Sequence, residues 1–293
     1  LEQSIKPHEP SSVPDQADVH PDAPNQTLIE QAIDRLLRAQ RPLILAGLLT
    51  YWDGAGDTLK RLIELTHIPL FTTERARGLI SDQHPGCFGD GYTSVNPVAQ
   101  LIHHADAILL LGEKIDCRSS FGHSFRHADV IQIWPDRAEI ERQGESVTGL
   151  TGDTGVIATA LFEAAGRRAW TPKTAWLHML NEARDEHRQQ VLALAASPDY
   201  PIHPVRIARD VARLIDDDTI LVFDGGDCSG WARFALQASR PGGWQTNTML
   251  GHMGSGLPYA LGAKVAAPAS RVVLLTGDGA LGFAVSEIET AVR

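Results

Sequence analysis

The sequence predicts an α/β protein: a doubly wound parallel sheet forms the first domain, and a second α/β domain follows it. Two observations support this prediction. In the first half, short apolar runs of strand length alternate with segments of helical periodicity, and parallel strands need such crossover helices. Near the carboxyl end, residues 272–275 form a continuous apolar run that leads directly into glycine, as expected for a buried parallel strand.

The first domain is expected to begin with a helix, because Thr27 and Glu30 have the spacing of a capping box ahead of apolar residues at helical intervals. The elements predicted after it are a strand at 42–47, a helix with Leu59, Leu62 and Ile63, a strand around Leu70 and Phe71, a helix at 98–104, strands at 107–112 and 130–133, and a helix at 155–165. Repetition of strand, helix and strand is typical of a doubly wound sheet.

Composition divides the chain into four parts. Residues 1–26 are rich in proline and are expected to form an extended linker. Residues 27–168 form the predicted central domain, and residues 169–203 a helical connector that ends in a cluster of prolines. Residues 204–293 are predicted to start a second domain with the same strand and helix alternation.

The second domain contains three glycine clusters beside predicted strands or helices. They are Gly225 with Gly226, the loop of Gly251, Gly254 and Gly256, and Gly277 with Gly279 around Asp278. An acid between glycines at the end of a strand can offer an oxygen to a hard cation, while backbone N–H groups face phosphate. Asp-Gly alone is equally a common turn signal, but the three clusters together favour a metal ion and a diphosphate.

The segments LVFDGGD, LGHMGSGLPYALGAKVA and RVVLLTGDGALGF resemble the cofactor domain of thiamine-diphosphate-dependent enzymes, in the group of acetolactate synthase, benzaldehyde lyase and oxalyl-CoA decarboxylase. The order, the spacing and the residues of these three segments all agree with that domain. The resemblance implies thiamine diphosphate and Mg²⁺ as cofactors and a 2-keto acid or 2-hydroxyacyl compound as substrate. It implies a 2-keto acid decarboxylase or carboligase like acetolactate synthase, with a benzaldehyde lyase or 2-hydroxyacyl-CoA lyase as the alternative.

The resemblance assigns roles residue by residue. Asp278 matches a metal ligand, and the loop with Gly251 and Met253 matches the one that meets the aminopyrimidine ring and supports the bent cofactor. Met253 as an ordinary core residue is the alternative. The full set of implied cofactor-binding residues is Asp227, Cys228, Ser229, Gly251, His252, Met253, Gly277, Asp278, Gly279 and Ala280.

Four residues in or beside this set carry narrower expectations. A carboxylate beside a diphosphate would be repelled, so Asp227 is expected to turn away, to cap a helix or to act through its backbone, which leaves Ser229 as the better donor. Trp231 is expected to pack rather than react. His252 either transfers a proton or makes an ordinary solvent or backbone contact, and both readings stay open.

The resemblance also implies that the chain is a fragment. A second metal ligand, an asparagine, is expected beyond Arg293, and a pyrimidine-binding domain with a catalytic glutamate is expected ahead of Leu1. The chain is therefore expected to be inactive alone, with His252 as its one possible catalytic residue. In the family the cofactor lies between two subunits, so the full-length protein is expected to be a homodimer or homotetramer.

The central domain resembles the family's middle domain, which carries FAD in acetolactate synthases, ADP in oxalyl-CoA decarboxylase and nothing in other members. Leu48 and Leu49 stand where a richer glycine pattern is common, and Gln132 and Trp134 replace both acids of an IDIDP pattern. FAD is therefore a doubtful cofactor, because an acid for a ribose hydroxyl is missing. Arg118 matches an arginine of flavin-containing relatives, where it could pair with a diphosphate, or it is a surface arginine paired with a nearby aspartate.

Composition excludes several classes of partner. The net charge of −10 and the lack of a basic patch argue against nucleic acid and anionic membrane surfaces. Three widely spaced cysteines without a CxxC pair suggest neither a disulfide framework nor a zinc site. No apolar run approaches a membrane span and no secretory signal is visible, so a cytoplasmic protein is expected. A noncatalytic nucleotide-binding or assembly module is the alternative from another class.

Overall fold

The computed structural model describes residues 24–144, 147–247 and 251–293. Within these ranges the chain forms two parallel sheets with flanking helices, which confirms the predicted α/β class. The predicted linker at 1–26 lies almost entirely outside the described residues. None of the described helices combines the length and the apolar character needed to cross a bilayer.

The first sheet contains six parallel strands in the order β3-β2-β1-β4-β5-β6. They are β1 (Pro42–Ala46), β2 (Leu70–Thr72), β3 (Cys87–Asp90), β4 (Ala107–Leu111), β5 (Asp129–Trp134) and β6 (Val147–Thr151). The chain moves outward from β1 to β3 and then starts again at β4, on the other side of β1. The carboxyl ends of β1 and β4 therefore mark the topological switch point, where open sheets of this kind hold ligands.

Helices cover both faces of this sheet. The α-helices are α1 (Gln26–Arg38), α2 (Leu48–Trp52), α3 (Gly56–Thr66), α4 (Arg137–Glu141) and α5 (Thr154–Gly166), and 3-10 helices occupy Glu74–Ala76, Pro97–His104, Cys117–Ser119 and His123–Phe125. Buried apolar residues of α1, α3 and α5 pack on one face. The 3-10 helix Pro97–His104 packs on the other face, where the sequence predicted a helix without distinguishing its type.

The start of α1 differs from the prediction. Asn25 caps the helix, because its side-chain oxygen accepts a hydrogen bond from Leu28 N at 3.2 Å. The capping box expected at Thr27 and Glu30 is wrong, since both residues lie inside the helix. Glu30 instead forms an ion pair with Arg168 at 2.6 Å.

The second sheet is smaller, with strands β7 (Ile220–Phe223), β8 (Trp244–Thr246) and β9 (Val272–Leu275) in the parallel order β8-β7-β9. The helices after the first sheet are α6 (Thr174–Ala196), α7 (Pro204–Ala212), α8 (Asp227–Ala235), α9 (Gly256–Ala266), α10 (Asp278–Ala284) and α11 (Glu287–Val292). Only Leu275 of β9 is fully buried, which corrects the expectation of a buried strand. The reason is that β9 lies at the edge of this sheet in the described part of the chain.

A buried network of charged side chains joins the two sheets. The guanidinium of Arg77 donates to Asp82 (Nη1 to Oδ1, 2.7 Å), lies 3.7 Å from Asp90 and stacks 5.0 Å from the centre of the Trp244 ring. Asp90 also accepts a hydrogen bond at 3.0 Å from Arg233 of α8. Because Trp244 and Arg233 belong to the second sheet and its helix, the network holds the two α/β units against each other.

Candidate functional site

The three glycine clusters meet at one edge of the second sheet. Strands β7 and β9 are parallel neighbours, so their carboxyl ends lie at the same edge. A Cβ atom built on Gly225, directly after β7, would lie 3.0 Å from the Gly251 carbonyl oxygen and 3.1 Å from Met253 Cγ. The loop before α9 therefore lies directly on the turn that follows β7.

Asp224 connects all three clusters, although sequence reasoning did not select it. Its side chain is buried, with 4% of the residue exposed. Oδ1 accepts hydrogen bonds from Gly225 N at 2.8 Å and Gly254 N at 2.9 Å, and Oδ2 accepts one from Thr276 Oγ1 at 3.0 Å. One carboxylate thus links the turn after β7, the loop before α9 and the end of β9. The available signal was an acid at the end of an apolar strand, directly before two glycines.

Two glycines of the middle cluster are required by close packing. Gly254 has φ of +91°, and a Cβ there would lie 2.6 Å from Phe283 Cβ in α10. A Cβ at Gly256 would lie 2.8 Å from the side chain of Asp224. Because side chains do not fit at these positions, glycine is what allows α9, α10 and the buried carboxylate to approach one another.

A cleft of about 590 Å³ lies between the two α/β units at this edge. The second unit contributes Gly225 and Gly226, the start of α8, and residues after β8; the first unit contributes residues 92–95 and Arg118. Trp231 and Phe234 form an aromatic wall, with their ring centres 5.8 Å apart in an edge arrangement. Trp231 also packs edge-on against His203 at 4.9 Å, which agrees with a packing role.

The residues predicted on the turn after β7 take different positions. Asp227 is the exposed first residue of α8 and lines the cleft, but Gly226 is the cap residue and no side chain caps this helix. The capping role considered for Asp227 is therefore not observed. Ser229 also lines the cleft but is buried, while Cys228 is half-buried and burial raises the pKa of its thiol.

The loop before α9 presents Met253 and His252 to solvent. Met253 is 48% exposed, so its side chain is not part of an apolar core among the described residues. His252 Nδ1 lies 2.9 Å from Asn247 Nδ2, and its carbonyl accepts a hydrogen bond from Ser255 Oγ at 3.3 Å. Gly251 has φ of +60° and lines the cleft, whereas Leu250 lies outside the described residues.

Asp278 stands at the carboxyl end of β9, with Gly277 as the cap residue of α10. The carboxylate of Asp278 is exposed and does not line the cleft, and Ala280 is buried beneath the turn. A Cβ built on Gly277 or Gly279 would meet no atom within 4 Å. The space above these two glycines is therefore open to a ligand.

These features fit a diphosphate held together with Mg²⁺. Cβ atoms on Gly226 and Gly251 would also meet nothing within 4 Å, so a ligand can approach the bare backbone closely. Across the described ranges no three metal-binding side chains cluster, so a cation at Asp278 would have to take most of its ligands from elsewhere. Mg²⁺ commonly takes one or two carboxylates and completes its shell with phosphate oxygens and water. Asp278 is suited to that arrangement.

Comparison with known protein families gives two matches. Residues 29–161 match the family described as thiamine pyrophosphate enzyme, central domain. Residues 224–293 match the family described as thiamine pyrophosphate enzyme, C-terminal TPP binding domain. The first range covers the six-stranded sheet up to the middle of α5, and the second begins at Asp224 itself.

Curated relatives agree with these matches. The acetolactate synthase large subunit IlvG of Mycobacterium tuberculosis is 34% identical over 90% of this chain and 47% of its own length. The 2-hydroxyacyl-CoA lyase 2 of Homo sapiens is 31% identical over 90% of this chain and 42% of its own length. A probable acetolactate synthase large subunit of Methanococcus aeolicus is 29% identical over 89% of this chain and 46% of its own length. The chain thus spans about half the length of these relatives.

Proposed function

Because this chain belongs to the thiamine pyrophosphate enzyme family, we propose that it supplies the central domain and the first part of the cofactor domain of a 2-keto acid decarboxylase or carboligase like acetolactate synthase. The observation that carries this proposal is the meeting of three glycine clusters on the carboxylate of Asp224. We place the central domain at 27–168, the helical connector at 169–203 and the cofactor domain at 204–293.

Asp278 would hold Mg²⁺, and the backbone of Gly277, Gly279 and Ala280 would hold the diphosphate. The exposed carboxylate and the open space above both glycines support these roles. The diphosphate and the cation share oxygens, so one carboxylate is sufficient to attach both to the protein at this edge.

Gly251 and Met253 would hold the rings of the cofactor. The half-exposed thioether of Met253 offers a polarizable apolar surface, and the absence of a side chain on Gly251 permits close approach. When bound, thiamine diphosphate would supply a nucleophilic carbon for addition to a carbonyl, and its positively charged ring would accept the electron pair of the C–C bond that breaks. The chain's own contribution is to orient the cofactor and to provide one wall of the cleft.

The substrate would enter the cleft between the two α/β units. Trp231 and Phe234 would exclude water from its apolar part, while Ser229 and the backbone of Asp227 would face the cofactor's diphosphate. The same aromatic wall supports a second candidate, a 2-hydroxyacyl-CoA lyase, because an acyl group larger than that of a short keto acid could pack against it. The similarity to 2-hydroxyacyl-CoA lyase 2 also supports this alternative.

Assembly into a homodimer or homotetramer is part of the proposal. Helices α9 to α11 expose large apolar side chains, namely Val265, Phe283, Val285, Ile288 and Val292. Because α9 contacts both α10 and α11, these exposed apolar side chains favour a region that another protein surface covers. In the full-length protein, the remainder of the cofactor domain and a second subunit would share this surface.

Substrate tests on the full-length protein separate the candidates. With thiamine diphosphate and Mg²⁺ present, conversion of pyruvate to acetolactate supports the first proposal, and cleavage of a 2-hydroxyacyl-CoA to an aldehyde supports the second. Calorimetric titration with the cofactor provides a readout that does not depend on the substrate. A full-length protein that binds no thiamine diphosphate, yet binds a nucleotide, would favour the noncatalytic module instead.

A further inference from the structure

A second cavity of about 330 Å³ opens at the switch point of the six-stranded sheet. It lies at the carboxyl edge, against Leu45 of β1 and residues that follow β2, β3 and β4. Its polar lining includes Thr73, Tyr92, Glu113, Lys114 and Arg118. By position this crevice is where a doubly wound sheet binds the diphosphate of a dinucleotide.

The N–H groups at the start of α2 already have backbone partners. Leu49 N donates to the Gly112 carbonyl at 3.2 Å, and Thr50 N donates to the Gly47 carbonyl at 3.0 Å. A dinucleotide site uses the N–H groups of such a first turn to bind the diphosphate. Here a ligand would have to replace protein carbonyls that already accept these hydrogen bonds.

The side chain of Glu113 fills the space above the glycine turn. A Cβ built on Gly47 would lie 2.5 Å from Glu113 Oε2 and 2.7 Å from Glu113 Cβ. The carboxylate is held in this position, because Oε1 accepts a hydrogen bond from Lys114 N at 3.0 Å and Oε2 accepts one from the hydroxyl of Thr73. Only 7% of the residue is exposed. The bare backbone that a diphosphate would approach is thus covered by an acid.

Arg118 is committed to carboxylates of the protein. Its Nε lies 3.0 and 2.9 Å from the two carboxylate oxygens of Asp116, and its Nη2 lies 3.4 Å from Glu113 Oε1. Of the two alternatives that the sequence left open for this arginine, the structure shows the pairing with the nearby aspartate. A diphosphate would have to compete with two acids for the same guanidinium.

The charges around the crevice also disfavour a bound diphosphate. The pKa of Glu113 is raised to about 7, mainly by burial and to a smaller extent by the nearby carboxylates of Asp116 and Asp90, although hydrogen bonds from Thr73 and Lys114 N oppose the shift. An environment that disfavours one additional negative charge disfavours a diphosphate even more strongly. At the ribose position, Gln132 is buried and its Nε2 donates to the Glu113 carbonyl at 3.1 Å, so this amide nitrogen is already used by the protein.

We propose that Glu113 closes the switch-point crevice to the diphosphate of a dinucleotide, so that the central domain of the full-length protein binds neither FAD nor ADP. This inference concerns the first sheet alone. It stands whether or not the edge of the second sheet binds thiamine diphosphate, because the two sites have different residues and different probes.

The test uses the full-length protein with ADP and FAD as probes and thiamine diphosphate as a separate control. The purified wild type is expected to show no flavin absorbance and no heat of ADP or FAD binding at millimolar ligand. Glu113→Ala removes both the charge and the volume, and it is expected to bind ADP at least about tenfold more tightly than the detection limit that the wild type sets. Glu141→Gln, an exposed acid in α4, is the matched control and should change nothing.

Glu113→Gln keeps the volume and removes the charge, so its gain in ADP affinity is expected to be smaller than that of Glu113→Ala. It keeps the test possible if the alanine variant does not fold. Stoichiometric flavin in the wild type, or ADP binding by the wild type at the level of Glu113→Ala, would overturn the inference. So would folded Glu113→Ala and Glu113→Gln proteins whose ADP affinity equals that of the wild type.

Discussion

Asp224 Oδ2 accepts a hydrogen bond from Thr276 Oγ1 at 3.0 Å, which joins the end of β7 to the end of β9 one residue before the Gly277 turn. Since the other oxygen of Asp224 holds Gly225 and Gly254, this carboxylate sets the spacing of all three glycine clusters. The geometry of the proposed cofactor site therefore depends on a buried carboxylate whose two oxygens both accept hydrogen bonds from the protein.

Asp224→Asn keeps the shape of the side chain. Its amide NH₂ group would, however, face one of the N–H or O–H groups that now donate to the carboxylate. We expect a loss of about 1–3 kcal/mol in unfolding free energy and a weaker affinity for thiamine diphosphate. Asp224→Ala should be worse on both counts. The control Asp218→Asn changes an exposed turn residue before β7 and should alter neither value. Equal cofactor affinity in Asp224→Asn and Asp218→Asn would exclude the positioning role.

Gly254→Ala tests the close packing in the loop before α9. The left-handed φ of +91° and the 2.6 Å approach to Phe283 Cβ predict a loss of about 1–3 kcal/mol. Gly262→Ala is the matched control, because this glycine lies inside α9 with open space around it. That change should stabilise the chain by about 0.5–1 kcal/mol. Chemical unfolding of both variants checks the opposite signs, and stabilisation by Gly254→Ala would contradict the observed packing.

Arg77→Ala tests the network between the two α/β units. The change would leave the buried carboxylates of Asp82 and Asp90 without their main cation, which is expected to cost about 3–5 kcal/mol. Arg137→Ala removes an exposed i,i+4 ion pair with Glu141 and should cost about 0.5 kcal/mol or less. Unfolding midpoints of the two variants give the comparison, and similar midpoints would show that the buried network contributes little.

The buried carboxyl of Glu113 predicts a pH dependence of stability. Its pKa in the folded protein is about 7 against an ordinary 4.5, so between these values the folded state binds more protons than the unfolded state. Stability should therefore decrease as the pH rises from about 4.5 to about 7. Glu113→Gln removes this effect. The difference in unfolding free energy between the variant and the wild type should therefore grow toward at most about 3 kcal/mol by pH 8. Chemical unfolding of both proteins at about pH 5 and about pH 8 measures this difference, and the same difference at both pH values would contradict the raised pKa.

The sequence predicted most of the first sheet, because β1 and β4 are covered on both faces and are apolar at every position. Strands β3 and β6 were missed, since CFGD and VTGLT each contain a glycine and polar residues. The α1 cap was misplaced because Asn25, Gln26 and Thr27 are all polar and short-range patterns do not decide among them. Helical spacing also does not separate a 3-10 helix from an α-helix over the eight residues Pro97–His104.

The sequence identified the glycine clusters of the proposed cofactor site but neither of two buried acids, one at that site and one at the first sheet. Asp224 and Glu113 each acquire their importance from segments that are distant in sequence. Asp224 binds Gly254 and Thr276, which lie 30 and 52 residues away. Glu113 binds Thr73, which lies 40 residues away, and covers Gly47. Such contacts depend on the sheet order, which local patterns of charge and hydrophobicity do not encode.

The most direct test of the account is calorimetric titration of the full-length protein with thiamine diphosphate, with and without Mg²⁺. The wild type should bind the cofactor only when Mg²⁺ is present. Asp278→Ala should weaken that binding by about a hundredfold, equivalent to about 2.7 kcal/mol, while Glu289→Ala, at an exposed acid of α11, should leave it unchanged. Undiminished Mg²⁺-dependent binding by Asp278→Ala would contradict the assignment of the metal site and, with it, the proposed cofactor edge.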